Sequence, residues 1–123
     1  DFPEYRLEFL QQVKKSEKYK LYLLSNTNDL HIEWVKENFR FYDAFESCFD
    51  EFYLSYEINL RKPDADIFQF VINQNNLKAE ETLFIDDTLD HINSAKTLNL
   101  QTWHLQVGHE DVVDLFKQKH LNL

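Results

Sequence analysis

Leu83-Phe84-Ile85-Asp86-Asp87-Thr88-Leu89-Asp90 is a short apolar run that ends in two adjacent carboxylates and a polar turn. An apolar segment of this length, followed by a helix-opening turn, predicts a strand of a parallel α/β sheet, and the carboxyl end of such a strand is where these sheets present their chemistry. Two ionised carboxylates side by side repel each other, and a hard divalent cation or a hydrogen-bonded phosphate site offsets that repulsion most simply. Asp86 and Asp87 are therefore candidate Mg2+ ligands. The competing reading is local: Asp favours the junction of strand and helix, where it caps orphan N–H groups and complements the helix dipole.

Working outward, apolar periodicity alternates between the two regular types. After the Thr82–Asp87 strand, Ile92 and Ala95 mark the inward face of a helix from Leu89 to about Leu98, and Gln101–Leu105 reads as a further short strand. A closing helix is expected over His109–Lys119, led by Glu110 and Asp111. Upstream, Pro63 opens a helix at a first-turn position, with Ile67, Phe68, Val71 and Ile72 inward. Cys48–Ser55 is strand-like and aromatic but interrupted by Asp50 and Glu51. Lys20–Ser25 suits a strand buried on both faces, and Asn26-Thr27-Asn28-Asp29 caps a helix that turns Leu30, Trp34, Val35 and Phe39 to the core. Asp1 and Pro3 start an amphipathic helix over Phe2–Lys15 with Leu7, Leu10 and Val13 on one stripe. Strands and helices thus alternate about four times, which predicts an α/β, Rossmann-like parallel sheet covered on both faces.

The chain has 123 residues, enough for one domain with a core. Its net charge of −9 opposes binding to nucleic acid and to anionic membrane surfaces, so neither is expected as a partner. Cys48 is the single cysteine, so an internal disulfide is excluded and a reducing cytoplasm is the expected compartment; its apolar surroundings suggest a buried small residue rather than a nucleophile. Methionine is absent throughout, so the chain is expected to be a processed piece or a fragment of a longer product. With one glycine, Gly108, there is no Gly-rich phosphate loop. The five histidines show no paired metal-ligand spacing and suit surface or capping roles, although His91 directly follows Asp90 beside the acidic turn. Arg40 is the one basic residue within the aromatic run Phe39–Tyr56, whose other charges are acidic, which favours core, subunit or cap contacts over a base-stacking platform.

Three polar stations stand at strand ends or helix starts: Ser25-Asn26, Arg61-Lys62-Pro63-Asp64 and Asp86-Asp87. In a doubly wound sheet the carboxyl ends of the strands converge on one crevice. A hydroxyl, an ammonium and a carboxylate pair gathered there form a phosphoryl-binding set: Ser25 and backbone N–H groups donate to phosphate oxygens, Lys62 offsets charge, and Asp86 or Asp87 holds Mg2+. Individually each has a plain reading, as a turn hydroxyl, a solvated lysine and ordinary helix-start chemistry.

Together, Leu23-Leu24-Ser25-Asn26-Thr27-Asn28, Arg61-Lys62-Pro63-Asp64 with Ile67-Phe68, and Phe84-Ile85-Asp86-Asp87-Thr88-Leu89-Asp90-His91-Ile92 resemble the second, third and fourth motifs of the haloacid dehalogenase-like (HAD) hydrolases. The resemblance runs from about Leu7 to Leu105 and is greatest to the subgroup with a small helical cap, which includes sugar-phosphate phosphatases. It implies that Ser25 hydrogen-bonds the transferring phosphoryl group, that Asn26 helps position it, and that Lys62 stabilises the nucleophile and the phosphoryl charge. Asp87, assisted by Asp86, would bind Mg2+ directly or through water. Asn59 stands where relatives often carry glycine, and Asn tolerates positive φ well enough to keep the turn.

The family's first motif is missing: nothing before Leu21 reads as Asp-x-Asp after an apolar strand. Residues 1–123 are accordingly expected to form the carboxy-terminal part of a HAD-like core, lacking the cap and the central nucleophile strand between those ending in Ser25 and Asp86. A missing amino-terminal segment, a second copy of the chain, or direct pairing of the two flanking strands would fill that slot. The implied function is part of a Mg2+-dependent phosphatase that hydrolyses a small phosphorylated metabolite, such as a sugar phosphate, through an aspartyl-phosphate, inactive as this chain alone. The alternative is a non-catalytic HAD-like binding domain. Metal-free dehalogenation is disfavoured by the acidic pair, which that chemistry does not need.

Overall fold

The computed structural model describes residues 2–123; Asp1, expected to help start the first helix, lies outside the described residues. Backbone packing divides the chain into two compact units that meet in sequence between Asn59 and Leu60.

The first unit contains α1 (Glu4–Ser16), β1 (Tyr22–Ser25), α2 (Asp29–Asn38), α3 (Tyr42–Glu46), β2 (Glu51–Leu54) and α4 (Ser55–Ile58). Glu4 in the first turn of α1 and Lys14 and Lys15 in its last complement the helix dipole, and Glu17 ends it in the left-handed region. Leu7 and Val13 are buried as expected, whereas Leu10 is half-buried. β1 and β2 run parallel, with Tyr22 opposite Glu51 and Ser25 opposite Leu54. Asp50 does not interrupt this pairing: its N–H donates to Leu21 O (2.7 Å) and its carboxylate accepts from the Leu21 N–H (2.8 Å), so it opens the ladder.

Two expectations fail in this unit. All four residues of β1 are half-buried rather than buried on both faces. In a two-stranded sheet each strand lacks a neighbour along one edge, so its backbone and the flanks of its side chains keep solvent access there. On α2 the core face is carried by buried Ile32 and half-buried Val35 and Phe39, while Leu30 and Trp34 are 79% and 60% exposed. Asn28 caps the helix by accepting the His31 N–H at 2.8 Å, and this fixes a phase that points Leu30 and Trp34 outward. The aromatic run packs within the unit. Phe45 meets Phe2, Phe49 and Phe52 edge-on at centroid distances of 5.1, 5.0 and 6.1 Å. Cys48 is buried, its thiol donates to Ala44 O, and burial raises its pKa, which fits a packing role.

The second unit contains α5 (Ala65–Gln74), β3 (Leu83–Asp86), α6 (Leu89–Lys96) and β4 (Gln101–His104), with single-turn or short 3-10 segments at Ala79–Glu81 and Val112–Lys117. β3 and β4 are parallel, joined by the α6 crossover, and pair Leu83 with Gln101 and Asp86 with His104. Ile67, Phe68, Ile92, Ala95, Leu100 and Trp103 form the buried core, and Phe68 meets Phe84 edge-on at 4.8 Å. Pro63 precedes the helix instead of lying in its first turn: the Lys62-Pro63 bond is cis and Asp64 is the N-cap of α5. The closing helix expected over His109–Lys119 is the tighter 3-10 segment, entered through Asp111, whose carboxylate accepts the Val113 N–H. Asn59 takes φ 57°, the left-handed geometry anticipated for the turn before Arg61-Lys62-Pro63.

The described residues thus form a mixed α/β fold with parallel strands, with one two-stranded sheet in each unit. The strand ending in Ser25 pairs with β2 and the strand ending in Asp86 pairs with β4.

Candidate active site

β3 delivers Asp86 at its last position, and the chain then turns through Asp87 and Thr88 into α6. The Asp86 carboxylate is 7% exposed and meets three donors. Lys62 Nζ lies 3.0 Å from Oδ2, His91 Nδ1 lies 3.1 Å from the same oxygen, and the Thr88 N–H donates to Oδ1 at 2.8 Å. Burial by itself pushes the carboxyl pKa up, but the Thr88 N–H, the Lys62 ammonium and the His91 ring together outweigh it and hold the group at about 2. Asp86 is therefore a fixed anion across the physiological range.

Lys62 is the one charged residue buried in the core among the described residues, at 8% exposure. Lys62 enters ahead of α5, and its aliphatic stem carries the ammonium over the Phe84 ring at 5.6 Å to reach the end of β3. A solvated lysine is excluded by this geometry. Removing a cation from water is tolerated here because a carboxylate and an aromatic face replace its hydration.

Asp87 has the opposite environment. It is exposed, and its Oδ1 accepts a 3.3 Å hydrogen bond from Thr88 Oγ1. Its backbone oxygen lies 3.1 Å from His104 Nε2, a contact that follows from the register placing His104 opposite Asp86. Two adjacent carboxylates are hard oxygen donors of the kind Mg2+ takes from protein, since that ion usually keeps water or substrate phosphate in its remaining positions. Among the described residues no group of three or more His, Cys, Asp or Glu side chains is placed to hold a metal by itself. The donor set therefore fits Mg2+ shared with other ligands and does not fit an all-protein cage.

Ser25 and Asn26 belong to the first unit. Ser25 ends β1 half-buried, and Asn26 is exposed in the loop that follows. That loop is clamped: Ser55 Oγ accepts the Thr27 N–H at 2.9 Å and donates to Thr27 O at 3.0 Å, tying the end of β1 to the end of β2. The clamp fixes the backbone on which Ser25 and Asn26 are presented. Of the five residues singled out in the sequence, Lys62 and Asp86 are in direct contact and Asp87 adjoins them. His91 is a further site residue. Its position three residues into the helix after Thr88 was a usable signal, because the first turn of that helix folds back over the strand end.

Comparison with known proteins gives the same picture. The model of the haloacid dehalogenase-like hydrolase family matches residues 1–99. D-ribitol-5-phosphate phosphatase from Bacteroides thetaiotaomicron is 33% identical over 105 residues, which is 84% of this chain and 50% of that protein. A HAD family enzyme from Bacteroides thetaiotaomicron, solved with magnesium and inorganic phosphate, superposes with a TM-score of 0.83 at 41% identity, covering 94% of this chain and 58% of that one. A HAD-like family hydrolase from Porphyromonas gingivalis superposes with a TM-score of 0.79 at 28% identity over 97% of this chain and 60% of its own. The chain thus spans about half the length of the curated relatives it matches. Family match, fold and the contact of Lys62 with Asp86 at the end of β3 agree, and the chain belongs to the haloacid dehalogenase-like hydrolases.

Proposed function

We propose that residues 1–123 are the carboxy-terminal part of the core of a Mg2+-dependent phosphatase acting on a small phosphorylated metabolite of the sugar-phosphate or polyol-phosphate class. The observation that carries the reading is the buried Lys62 ammonium held 3.0 Å from Asp86 beside an exposed second carboxylate. A phosphoryl group in transfer spreads negative charge over its oxygens, and a preorganised, desolvated cation stabilises that charge without having to reorganise. Lys62 supplies it, with Asp86 fixing the ammonium in place. Ser25 donates to a phosphoryl oxygen and Asn26 positions the group. Asp87, with Asp86, holds Mg2+, which when bound neutralises phosphate charge. The similarity to D-ribitol-5-phosphate phosphatase supports the substrate class.

The nucleophile belongs to an Asp-x-Asp segment at the end of an apolar strand; the Asp-x-Asp triplet of this sequence, Asp64-Ala65-Asp66, opens α5 and does not end a strand. That aspartate attacks phosphorus, the ester oxygen departs with a proton from the second aspartate, and water then cleaves the aspartyl-phosphate. We assign this element to a segment outside residues 1–123, an assignment supported by the chain spanning 50% of D-ribitol-5-phosphate phosphatase.

Phosphate release by the full-length protein from D-ribitol 5-phosphate and related monoesters tests the reading. Turnover should require Mg2+ and should vanish in Asp87→Asn, which keeps shape and loses charge. The 123-residue chain by itself should give no turnover of p-nitrophenyl phosphate above background. Robust turnover by that chain, with mass spectrometry excluding a co-purified segment, would place the nucleophile elsewhere.

A further inference from the structure

Two histidines bracket the acidic turn from different elements, and each offers a defined ring nitrogen to it. His91, from the first turn of α6, directs Nδ1 to Asp86 Oδ2 at 3.1 Å and is only 17% exposed. His104, the last residue of β4, directs Nε2 to the backbone oxygen of Asp87 at 3.1 Å. Both targets act as acceptors, since the Asp86 carboxylate already accepts from Lys62 Nζ and the Thr88 N–H and a carbonyl oxygen only accepts, so both rings donate. For His104 the other ring nitrogen agrees: Gln106 Nε2 lies 3.1 Å from Nδ1 and, as an amide NH2, donates to it, leaving the ring hydrogen on Nε2. The Gln106 backbone N–H is in turn held by Glu110 Oε1 at 2.8 Å.

We propose that His91 and His104 are positioning residues for the Mg2+-binding turn. His91 fixes the Asp86 carboxylate, and with it Lys62, while the Gln106–His104 relay fixes the peptide that aims the Asp87 side chain. The inference rests on the reading of Asp86 and Asp87 as Mg2+ ligands. Groups that orient metal-binding carboxylates without touching the ion typically change metal affinity or activity by about 10- to 100-fold when removed. A carboxylate on a strand end followed by an exposed turn has freedom to lose, and two rings anchored in packed elements remove it.

The two contacts use different ring nitrogens, and this permits a crossed test. An Asn amide nitrogen stands near the place of histidine Nδ1, and a Gln amide nitrogen near the place of Nε2. In the full-length protein, Mg2+ binding is measured by calorimetry and the Mg2+ dependence of kcat and KM by phosphate release. His91→Ala and His104→Ala should each weaken Mg2+ binding about tenfold. His91→Asn and His104→Gln should restore binding to within about threefold of wild type, while His91→Gln and His104→Asn should behave like the alanine variants. In the wild-type protein without Mg2+, nitrogen NMR of the rings should place a hydrogen on Nδ1 of His91 and on Nε2 of His104. Ring hydrogens absent from those nitrogens, or variants that bind Mg2+ alike, would overturn the inference while leaving the metal site intact. A wild-type protein that binds no Mg2+ would overturn the metal reading and this inference together.

Discussion

The two compact units solve the same problem with different materials. The first buries a network of aromatic edges around Phe45 and carries its polar stations, Ser25 and Asn26, on a clamped loop as neutral groups. The second packs Ile67, Ile92 and Ala95 with Phe68 and Trp103 and holds a charged pair, Lys62 and Asp86, against them. Neutral groups can be left at a half-exposed strand end at little cost. A lysine at 8% exposure survives only with its partner in place, so the second unit is built around an ion pair while the first is built around side-chain shape.

Replacing one neutral and one charged station tests that contrast most severely. In the full-length protein Lys62→Ala should lower kcat by about 10²- to 10³-fold, the loss expected for a preorganised donor facing developing charge. Ser25→Ala, which removes a single neutral hydrogen bond, should lower kcat/KM by about tenfold. Equal losses would dissolve the distinction between the units.

Stability tests the packing side. Ile67, fully buried, should cost about 2–5 kcal/mol when cut to Ala, as read by urea unfolding. Leu30→Ala and Trp34→Ala, on the exposed face of α2, should each stay within about 0.5 kcal/mol. A large loss from Trp34 would show that this face is covered in solution.

Acid should act on the second unit. The Asp86 carboxyl is lowered from 3.8 to about 2 in the folded chain, so the folded state binds its proton less readily than the unfolded state does. Its stabilisation, about 2 kcal/mol, is full above pH 4 and is lost as pH falls through 2. Asp86→Asn should remove that acid-limb slope in denaturation curves measured between pH 4 and 2.

Two further effects are local. Asn28→Ala removes the cap of α2 and should cost about 1 kcal/mol. Asn59→Ala places a Cβ residue without a local polar side chain at φ 57° and should cost about 1–2 kcal/mol.

Much of this was legible in the sequence because it depends on neighbours along the chain. Alternating apolar runs specify the strands and helices, Asn28 specifies where α2 starts, and Asp86-Asp87 after Phe84-Ile85 specifies a strand end with chemistry. The parallel α/β class, the family motifs and the inward faces of α5 and α6 follow from such spacing. The outward turn of Leu30 and Trp34, the half-exposure of β1 and the 3-10 geometry of Val112–Lys117 do not, because burial depends on what packs across from a residue and not on its own hydrophobicity. Tertiary structure alone decided the site's internal wiring. The strand register brings His104 beside the Asp87 carbonyl, and the passage of the Lys62 stem over Phe84 carries its ammonium to Asp86 across 24 residues of chain. A charged side chain's partner is set by three-dimensional proximity in a medium of low dielectric constant, where a contact of 3 Å outweighs any separation in sequence.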